Sequence, residues 1–165
     1  MSKKYPSIVG IDVSLTHTAL WFGEGNFTSV KGGKRRGVTR LKAMYEWVVA
    51  ALVLNKPKIA VIEGYAYMAN SRQHRLGEIG GVVRLACANS GVTRIIEVPP
   101  TTLKKFFFGH GRASKEEMIE EANRRVGPTI KIEDDNIADS FALWCAGLNN
   151  SLIRGKCETE DLEEE

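Results

Sequence analysis

The sequence predicts an α/β fold: a mixed five-stranded sheet with helices on both faces. Three short segments, 7–13, 16–22 and 27–31, are apolar or alternating and follow one another through tight turns, which is typical of an antiparallel meander. Two later apolar segments, 58–63 and 93–98, are separated by a long helical pattern. Because a helical crossover joins parallel strands, three antiparallel strands are expected to precede two parallel ones.

Five helices are expected around this sheet. They are predicted at about 39–54, at 76–90, after Pro99, at 114–126 and from Asp135 to about 149. Thr39 is a candidate cap for the first helix, and Gly91 fits the exit of the second. Ser114 with Glu117 three residues later has the spacing of a capping box.

Composition indicates one soluble globular domain, at 1–152, followed by an acidic tail at 153–165 that we expect to be disordered. Without the six acidic residues of that tail, 23 basic residues face 14 acidic ones, a balance of +9 that favours a polyanionic partner. No apolar run is long enough to span a bilayer, and the first residues lack the apolar stretch of a secretion signal. We therefore expect a cytoplasmic location and no membrane partner.

Four acidic residues occur where the predicted elements can bring them together. Asp12 and Glu63 end two apolar strands, and Asp135 and Asp139 begin the last helix, one turn apart on the same face. Buried carboxylates are unfavourable unless a cation gathers them, and all-oxygen ligands suit a hard divalent ion. A single such acid is as well explained as a turn or cap residue. The whole set in a basic chain favours phosphodiester hydrolysis at a two-metal site.

Several segments carry a family pattern in a consistent order. The first is IVGIDVSLTHTAL at 8–20, and VIE follows at 61–63. LGEIGG, PPTTLKK, GRASK and NIADS come next, at 76–81, 99–105, 111–115 and 136–140. Together they resemble the motifs of RuvC-like Holliday junction resolvases, including compact phage-type members. The likeness extends from about residue 7 to 149, and only the tail lies outside it.

The resemblance implies an RNase H-like fold and a homodimer that makes paired nicks in four-way branched DNA. It implies dependence on Mg²⁺, with Mn²⁺ as a substitute and two ions per site, and no nucleotide cofactor. At matching positions, Asp12, Glu63 and Asp139 become metal ligands, and Lys115 lies close to the scissile phosphate. The chain departs from the family at Asn136, where an acid or histidine is usual. Either Asp135 takes over as the fourth ligand, which we favour, or Asn136 ligates through its amide oxygen.

Basic residues suited to backbone phosphates occur in three clusters. The residues that we predict to bind DNA are Lys34, Arg35, Arg36, Arg72, Arg75, Lys104, Lys105, Arg112 and Lys115. Arg40 belongs to the first of these clusters. Tyr67, in a polar loop after Glu63, is a candidate for stacking on an unpaired base. Each cluster could instead be a solvated loop, and Tyr67 could pack beneath its own loop.

Other functions remain open at this stage. An RNase H-like nuclease could act on flaps or RNA–DNA hybrids instead of four-way junctions. The amide at Asn136 leaves room for a scaffold that binds junctions without cutting them. Acetate- and sugar-kinase-like proteins also have an aspartate on their first strand, but they require two domains and nucleotide-binding loops, for which 165 residues leave no room.

Overall fold

The computed structural model describes residues 7–64, 71–149 and 158–162, with the side chains of all these except 71–73 and 158. The strands are β1 (Ile8–Asp12), β2 (His17–Gly23), β3 (Asn26–Lys31), β4 (Ile59–Glu63), β5 (Arg94–Val98) and β6 (Glu158–Asp161). The helices are α1 (Gly37–Asn55), α2 (Ser71–Asn89), α3 (Pro100–Phe108), α4 (Lys115–Val126) and α5 (Asp135–Leu148). In these ranges no helix has both the length and the apolar character needed to cross a membrane.

The strands form one mixed sheet in the order β3-β2-β1-β4-β5-β6. β1 to β3 form the predicted antiparallel meander, and β1, β4 and β5 pair in parallel. The register places Ile11 opposite Ile62, so the last residues of the two strands, Asp12 and Glu63, lie side by side. The predicted α/β class and the predicted three antiparallel strands followed by two parallel ones are confirmed.

Helices cover both faces of the sheet, because successive strand residues point to opposite sides. Val9 and Ile11 face α1 and α2, in a core that includes Val48 of α1. Ile8 faces the other side, in a core that includes Leu143 of α5 and residues of α3 and α4. These apolar layers hold the carboxyl ends of β1 and β4 in place from both sides.

Gly10 allows α5 to lie directly against β1. A Cβ atom at Gly10 would fall 2.1 Å from the carbonyl oxygen of Ser140 and 2.5 Å from the backbone nitrogen of Trp144. Any larger side chain would therefore push the helix away from the strand. Because Ser140 follows Asp139 and Gly10 is two residues before Asp12, this close approach brings the two acids to the same end of the molecule.

The sixth strand corrects the prediction for the acidic tail. Residues Glu158–Asp161 form β6, which pairs antiparallel with β5, whereas the sequence predicts five strands and a disordered tail. The outer edge of β5 accepts this segment because arginines flank it. Arg94 Nε lies 2.5 Å from Asp161 Oδ1, and Arg84 of α2 forms an ion pair with Glu97 of β5. Acidic composition suggested solvation, but here the acids pair with those arginines. The domain boundary at residue 152 stays a prediction.

Two helices begin earlier than predicted. α1 starts at Gly37, and the residue before it, Arg36, makes no capping hydrogen bond, so Thr39 is not the cap. α2 starts at Ser71 instead of Leu76, since its first five residues lack the apolar spacing from which the start was predicted. At α4 the predicted capping box is confirmed: Ser114 accepts from the Glu117 backbone, and the Glu117 carboxylate accepts from Ser114 N–H.

Candidate active site

Asp12 is the most enclosed of the four acids. It ends β1, and its side chain is only 7% exposed. No described residue donates a hydrogen bond to its carboxylate or forms an ion pair with it. Burial raises the pKa of Asp12 well above the ordinary value, and the charges of Asp139 and Glu63 raise it further. A buried carboxylate without a partner indicates a position that requires a cation.

Glu63 and Asp139 share this environment. Burial raises the pKa of Glu63, although the nearby Lys104 ammonium lowers it in part. The pKa of Asp139 is raised to about 7, chiefly by burial and then by the charges of Glu63 and Asp135. The three predicted ligands from β1, β4 and α5 are therefore electrostatic neighbours, as expected when the ends of parallel strands meet the start of a packed helix.

Asp135 forms an ion pair with Lys115, the first residue of α4. Its side chain is 25% exposed, whereas that of Lys115 is 76% exposed. The hydrogen bond from Lys115 to Asp135, followed by their mutual attraction, raises the pKa of the lysine, so the lysine is charged. The charges of Asp139 and Asp134 act in the same direction. Lys115 thus lies beside the acids. Its proximity to the scissile phosphate stays a prediction.

The N-terminus of α5 is held by Asp134, a residue that the sequence analysis did not single out. Its Oδ1 accepts hydrogen bonds from the backbone N–H groups of Asn136 at 2.9 Å and Ile137 at 3.3 Å. Burial raises the pKa of Asp134, but these hydrogen bonds, the Asn136 side chain and nearby His17 outweigh that effect, so its pKa is lowered overall. An aspartate directly before the first apolar helical residues was the signal that identifies such a cap.

Asn136 turns toward His17 and Asp134. The amide nitrogen of its side chain lies 3.2 Å from His17 Nδ1 and 3.2 Å from Asp134 Oδ1. His17 Nδ1 lies 3.1 Å from Asp134 Oδ2, so the histidine links the start of β2 to the cap of α5. The His17 side chain is 11% exposed, and its Nε2 is buried without a partner among the described residues. Asn136, which departs from the family pattern, is thus part of a polar contact that orients α5.

The donor chemistry of this site fits a divalent metal, although the present side-chain positions are not those of a ligand sphere. Within the described ranges, no three His, Cys, Asp or Glu side chains already have an arrangement that holds a metal ion. Neighbouring carboxylates raise the pKa of Asp12 and of Asp139, so these charges repel one another, and Asp135 is held in an ion pair with Lys115. All-oxygen donors around a buried, unpaired Asp12 are nevertheless what a hard cation requires. Binding would involve side-chain rotation from rigid strand and helix positions.

Two of the predicted DNA-binding residues, Lys104 and Lys115, lie at the acidic edge, the end of the sheet where Asp12, Glu63, Asp135 and Asp139 meet. The charge of Lys104 acts on Glu63 and Asp139, while its Nζ donates to the carbonyl of Ala113 at 3.1 Å. The other described candidates have exposed side chains: Lys34, Arg35, Arg36, Arg75, Lys105 and Arg112. Tyr67 and the Arg72 side chain lie outside the described residues.

The mixed sheet has three parallel strands, β1, β4 and β5, at its centre. Acids lie at the ends of β1 and β4 and at the start of α5. These features define an RNase H-like protein with a nuclease-type site. No family model matches the sequence. The chain is 30% identical over 116 residues to the crossover junction endodeoxyribonuclease RuvC of Caldanaerobacter subterraneus subsp. tengcongensis, covering 69% of this chain and 70% of that protein. On this relationship, the chain belongs to the RuvC family of crossover junction endodeoxyribonucleases.

Solved structures confirm the fold. The Thermus thermophilus RuvC structure superposes with a TM-score of 0.71 at 23% identity, covering 93% of this chain and 99% of that one. T. thermophilus RuvC in complex with a Holliday junction substrate gives a TM-score of 0.70 at 24% identity, over 83% and 89% of the two chains. The RNase H-like fold predicted from the resemblance is therefore confirmed.

Proposed function

We propose that this protein is a metal-dependent endonuclease that resolves four-way branched DNA by paired nicking. The observation that carries the proposal is the convergence of Asp12, Glu63 and Asp139 from three elements beside Lys104 and Lys115. Membership of the RuvC family supports the same chemistry. The relative's name denotes a crossover junction endodeoxyribonuclease, and one structural neighbour was solved with a Holliday junction.

The proposed metal ligands are Asp12, Glu63, Asp139 and Asp135, with Mg²⁺ as the ion, Mn²⁺ as a substitute and two ions per site. When bound, such ions lower the pKa of water and stabilise the leaving oxygen of an in-line displacement. Asp135 is preferred over Asn136 as the fourth ligand, because the Asn136 amide is directed to His17 and Asp134. The carboxylates of Asp12 and Glu63 are held by buried strands, so their backbone does not need to move.

The lysines and the surrounding basic residues have separate proposed roles. Lys115 and Lys104 stabilise the negative charge that develops on the scissile phosphate, since both act electrostatically on the acidic site. The remaining cations contact phosphates along the arms and fix the register of the junction. Tyr67 is proposed to stack on a base at the junction centre. Cytoplasmic DNA, in a bacterium or in a phage-infected host, is the proposed substrate.

Paired nicking needs two active sites, so we propose a homodimer. Helix α2 is the proposed contact surface, and the apolar residue Leu85 on this helix is 55% exposed. In a dimer with a two-fold axis, each subunit would place its acidic edge at one of two opposed DNA strands of the junction.

A labelled synthetic four-way junction tests the proposal. With Mg²⁺ we expect symmetric nicks in opposed strands, and without it we expect binding alone. Competition with flap and RNA–DNA hybrid substrates separates the alternative nuclease activities, which predict preferential cutting of those molecules. Binding without cleavage in any divalent ion would instead support the junction-binding scaffold, the alternative that the Asn136–His17 contact favours.

A further inference from the structure

An arginine-lined cavity lies on the α1 and α2 side of the molecule, next to the loop that follows β1. Its volume is about 210 Å³, and no acidic residue lines it. The lining residues are Leu15, Thr16, Gly33, Arg35, Arg36, Arg40 and Arg75. The arginines come from three parts of the chain: the loop after β3, the first turn of α1 and the first part of α2. We call this feature the arginine pocket.

Arg40 distinguishes the arginine pocket from an ordinary basic surface. Its side chain is only 7% exposed, and its Nε is buried without a hydrogen-bond partner among the described residues. No ion pair within those residues involves Arg40. A buried guanidinium without a counter-ion is strongly unfavourable, so the site needs an anion to be complete. The other lining arginines are exposed and could reach the same anion.

The start of α1 adds donors to the arginine pocket. No side chain caps the first turn of α1, and that turn contains no acidic residue. Backbone N–H groups at a helix start are unpaired within the helix and favour an anion. Arg40 lies in this first turn, so the buried guanidinium and the free helix start occur together. Forked guanidinium donors match the oxygens of a phosphate group.

We propose that the arginine pocket binds one backbone phosphate of the DNA strand, separate from the phosphate that is cut. This inference rests on the proposed function, because it assigns the anion to the same substrate. Thr16 lines the pocket and is four residues after Asp12, so their backbones are at most about 14 Å apart. Along the axis of a duplex each strand carries one phosphate per roughly 3.4 Å, so this span corresponds to at most about four base pairs. The pocket thereby fixes the distance from an anchored phosphate to the nick.

The first experiment measures junction binding without divalent ions as salt is varied. We expect Arg40→Gln and Arg75→Gln each to weaken binding about tenfold near 0.1 M salt and to reduce the salt slope by about 1, as for one lost phosphate contact. Lys42→Gln is the matched control. It removes the same charge from α1, but Lys42 is exposed and lies outside the pocket. If Lys42→Gln had the same effect as Arg75→Gln, general surface charge would explain binding and the proposal would be wrong.

The second experiment locates the phosphate. Single neutral methylphosphonates are placed at each of about six positions on either side of the nick. At one position, about four nucleotides or fewer from the cut, we expect the methylphosphonate to weaken binding by the wild type. The same methylphosphonate should cause no further loss of affinity in Arg40→Gln or Arg75→Gln. If the methylphosphonate and the arginine substitution weakened binding additively at every position, the proposal would be wrong. Because Arg75 is exposed, its variant keeps the test valid even if Arg40→Gln does not fold.

Inorganic phosphate distinguishes the source of the anion. If millimolar phosphate stabilises the wild type but not Arg75→Gln, while the methylphosphonate scan shows no coupled position, the pocket takes a free anion and the DNA assignment is wrong. Failure of the proposed function is separable from failure of this inference. If one methylphosphonate position is coupled to the arginines but the protein makes no nicks, the arginine pocket is supported and the nuclease proposal is wrong. If the protein makes nicks but no position is coupled, the nuclease proposal is supported and the pocket assignment is wrong.

Discussion

The acidic edge and the arginine pocket lie at the two ends of one short loop and carry opposite unpaired charge. At the acidic edge, burial raises the pKa values of Asp12, Glu63 and Asp139, whereas in the pocket Arg40 is buried without an anion. By contrast, the partly buried Arg84 forms an ion pair with Glu97. The fold therefore leaves charge unpaired in two adjacent places, and a substrate phosphate with its metal ions would complete both.

The two sites differ in how rigidly they are built. Asp12 and Glu63 extend from buried strands, and the Gly10 contact fixes α5 beside them. The arginine pocket combines long side chains from a loop and two helix starts. We infer that the acidic edge determines the chemistry and the pocket determines where the strand lies. Changes at the acidic edge should accordingly reduce nicking more than binding.

The largest effect is expected for Asp12→Asn. Nicking of the junction in magnesium should fall by at least about 10³-fold, because metal catalysis contributes several kcal/mol and about 1.4 kcal/mol corresponds to a factor of ten. Junction binding should remain within a few fold of the wild type. Glu120→Gln, an exposed acid on α4, is the control and should cut normally. Nicking by Asp12→Asn at the wild-type rate would refute the metal assignment.

A smaller loss is expected for Lys115→Met. The cleavage rate at saturating protein should fall about 10²-fold, in the range found for removal of one donor that stabilises transition-state charge. Lys131→Gln serves as a control for loss of a nearby exposed charge. Single-turnover nicking distinguishes the two roles of Lys115. A purely phosphate-binding lysine would weaken affinity and leave the saturated rate unchanged, contrary to this prediction.

The acidic edge should also make the metal-free protein sensitive to pH. The pKa of Asp139 is raised to about 7 in the folded state, so the folded protein binds this proton more tightly than the unfolded chain. Its contribution to stability therefore decreases as pH rises from about 4 to about 7. In chelator at pH 8, Asp139→Asn should be more stable than the wild type by about 2 kcal/mol, or at least about 4 °C in Tm.

Thermal unfolding at several pH values checks this dependence. At pH 4 and below, the advantage of Asp139→Asn should shrink, since the wild-type carboxyl is protonated in both states. A difference between the two proteins that stays constant from pH 4 to pH 8 would contradict the raised pKa of Asp139.

The smallest effect concerns the contact between His17 and Asp134. Asp134→Ala should lower Tm by about 2–4 °C, because loss of a helix cap destabilises by about 1 kcal/mol. His17→Ala should have an effect of similar size. Because Nδ1 of His17 lies 3.1 Å from Asp134, the double variant should be less destabilised than the sum of the single ones. Additive losses in the double variant would show that the contact does not contribute.

Most of the fold could be predicted from sequence because its signals are local. The apolar strands, the crossover and the Ser114 capping box each depend on neighbouring residues. The acids at strand ends could be assigned for the same reason, since strand direction determines which ends meet. The start of α2 could not be predicted, because residues 71–75 are polar and show no helical period.

The features that were missed depend on contacts between distant segments. β6 forms because Arg94 and Arg84 flank the open edge of β5, and composition alone suggested a solvated tail. The His17–Asp134 contact joins residues more than a hundred positions apart. Arg40 could be recognised as basic, but its burial became visible only when α1 and the loop after β3 were placed together.

A calorimetric titration of the protein with manganese at pH 8 tests the central claim most directly, because it measures whether acids from β1, β4 and α5 bind an ion together. The account predicts saturable binding to the wild type that is abolished in Asp12→Asn and in Glu63→Gln, with Glu120→Gln binding normally. Equal binding by Asp12→Asn and the wild type, or no binding by the wild type even with junction DNA present, would contradict it.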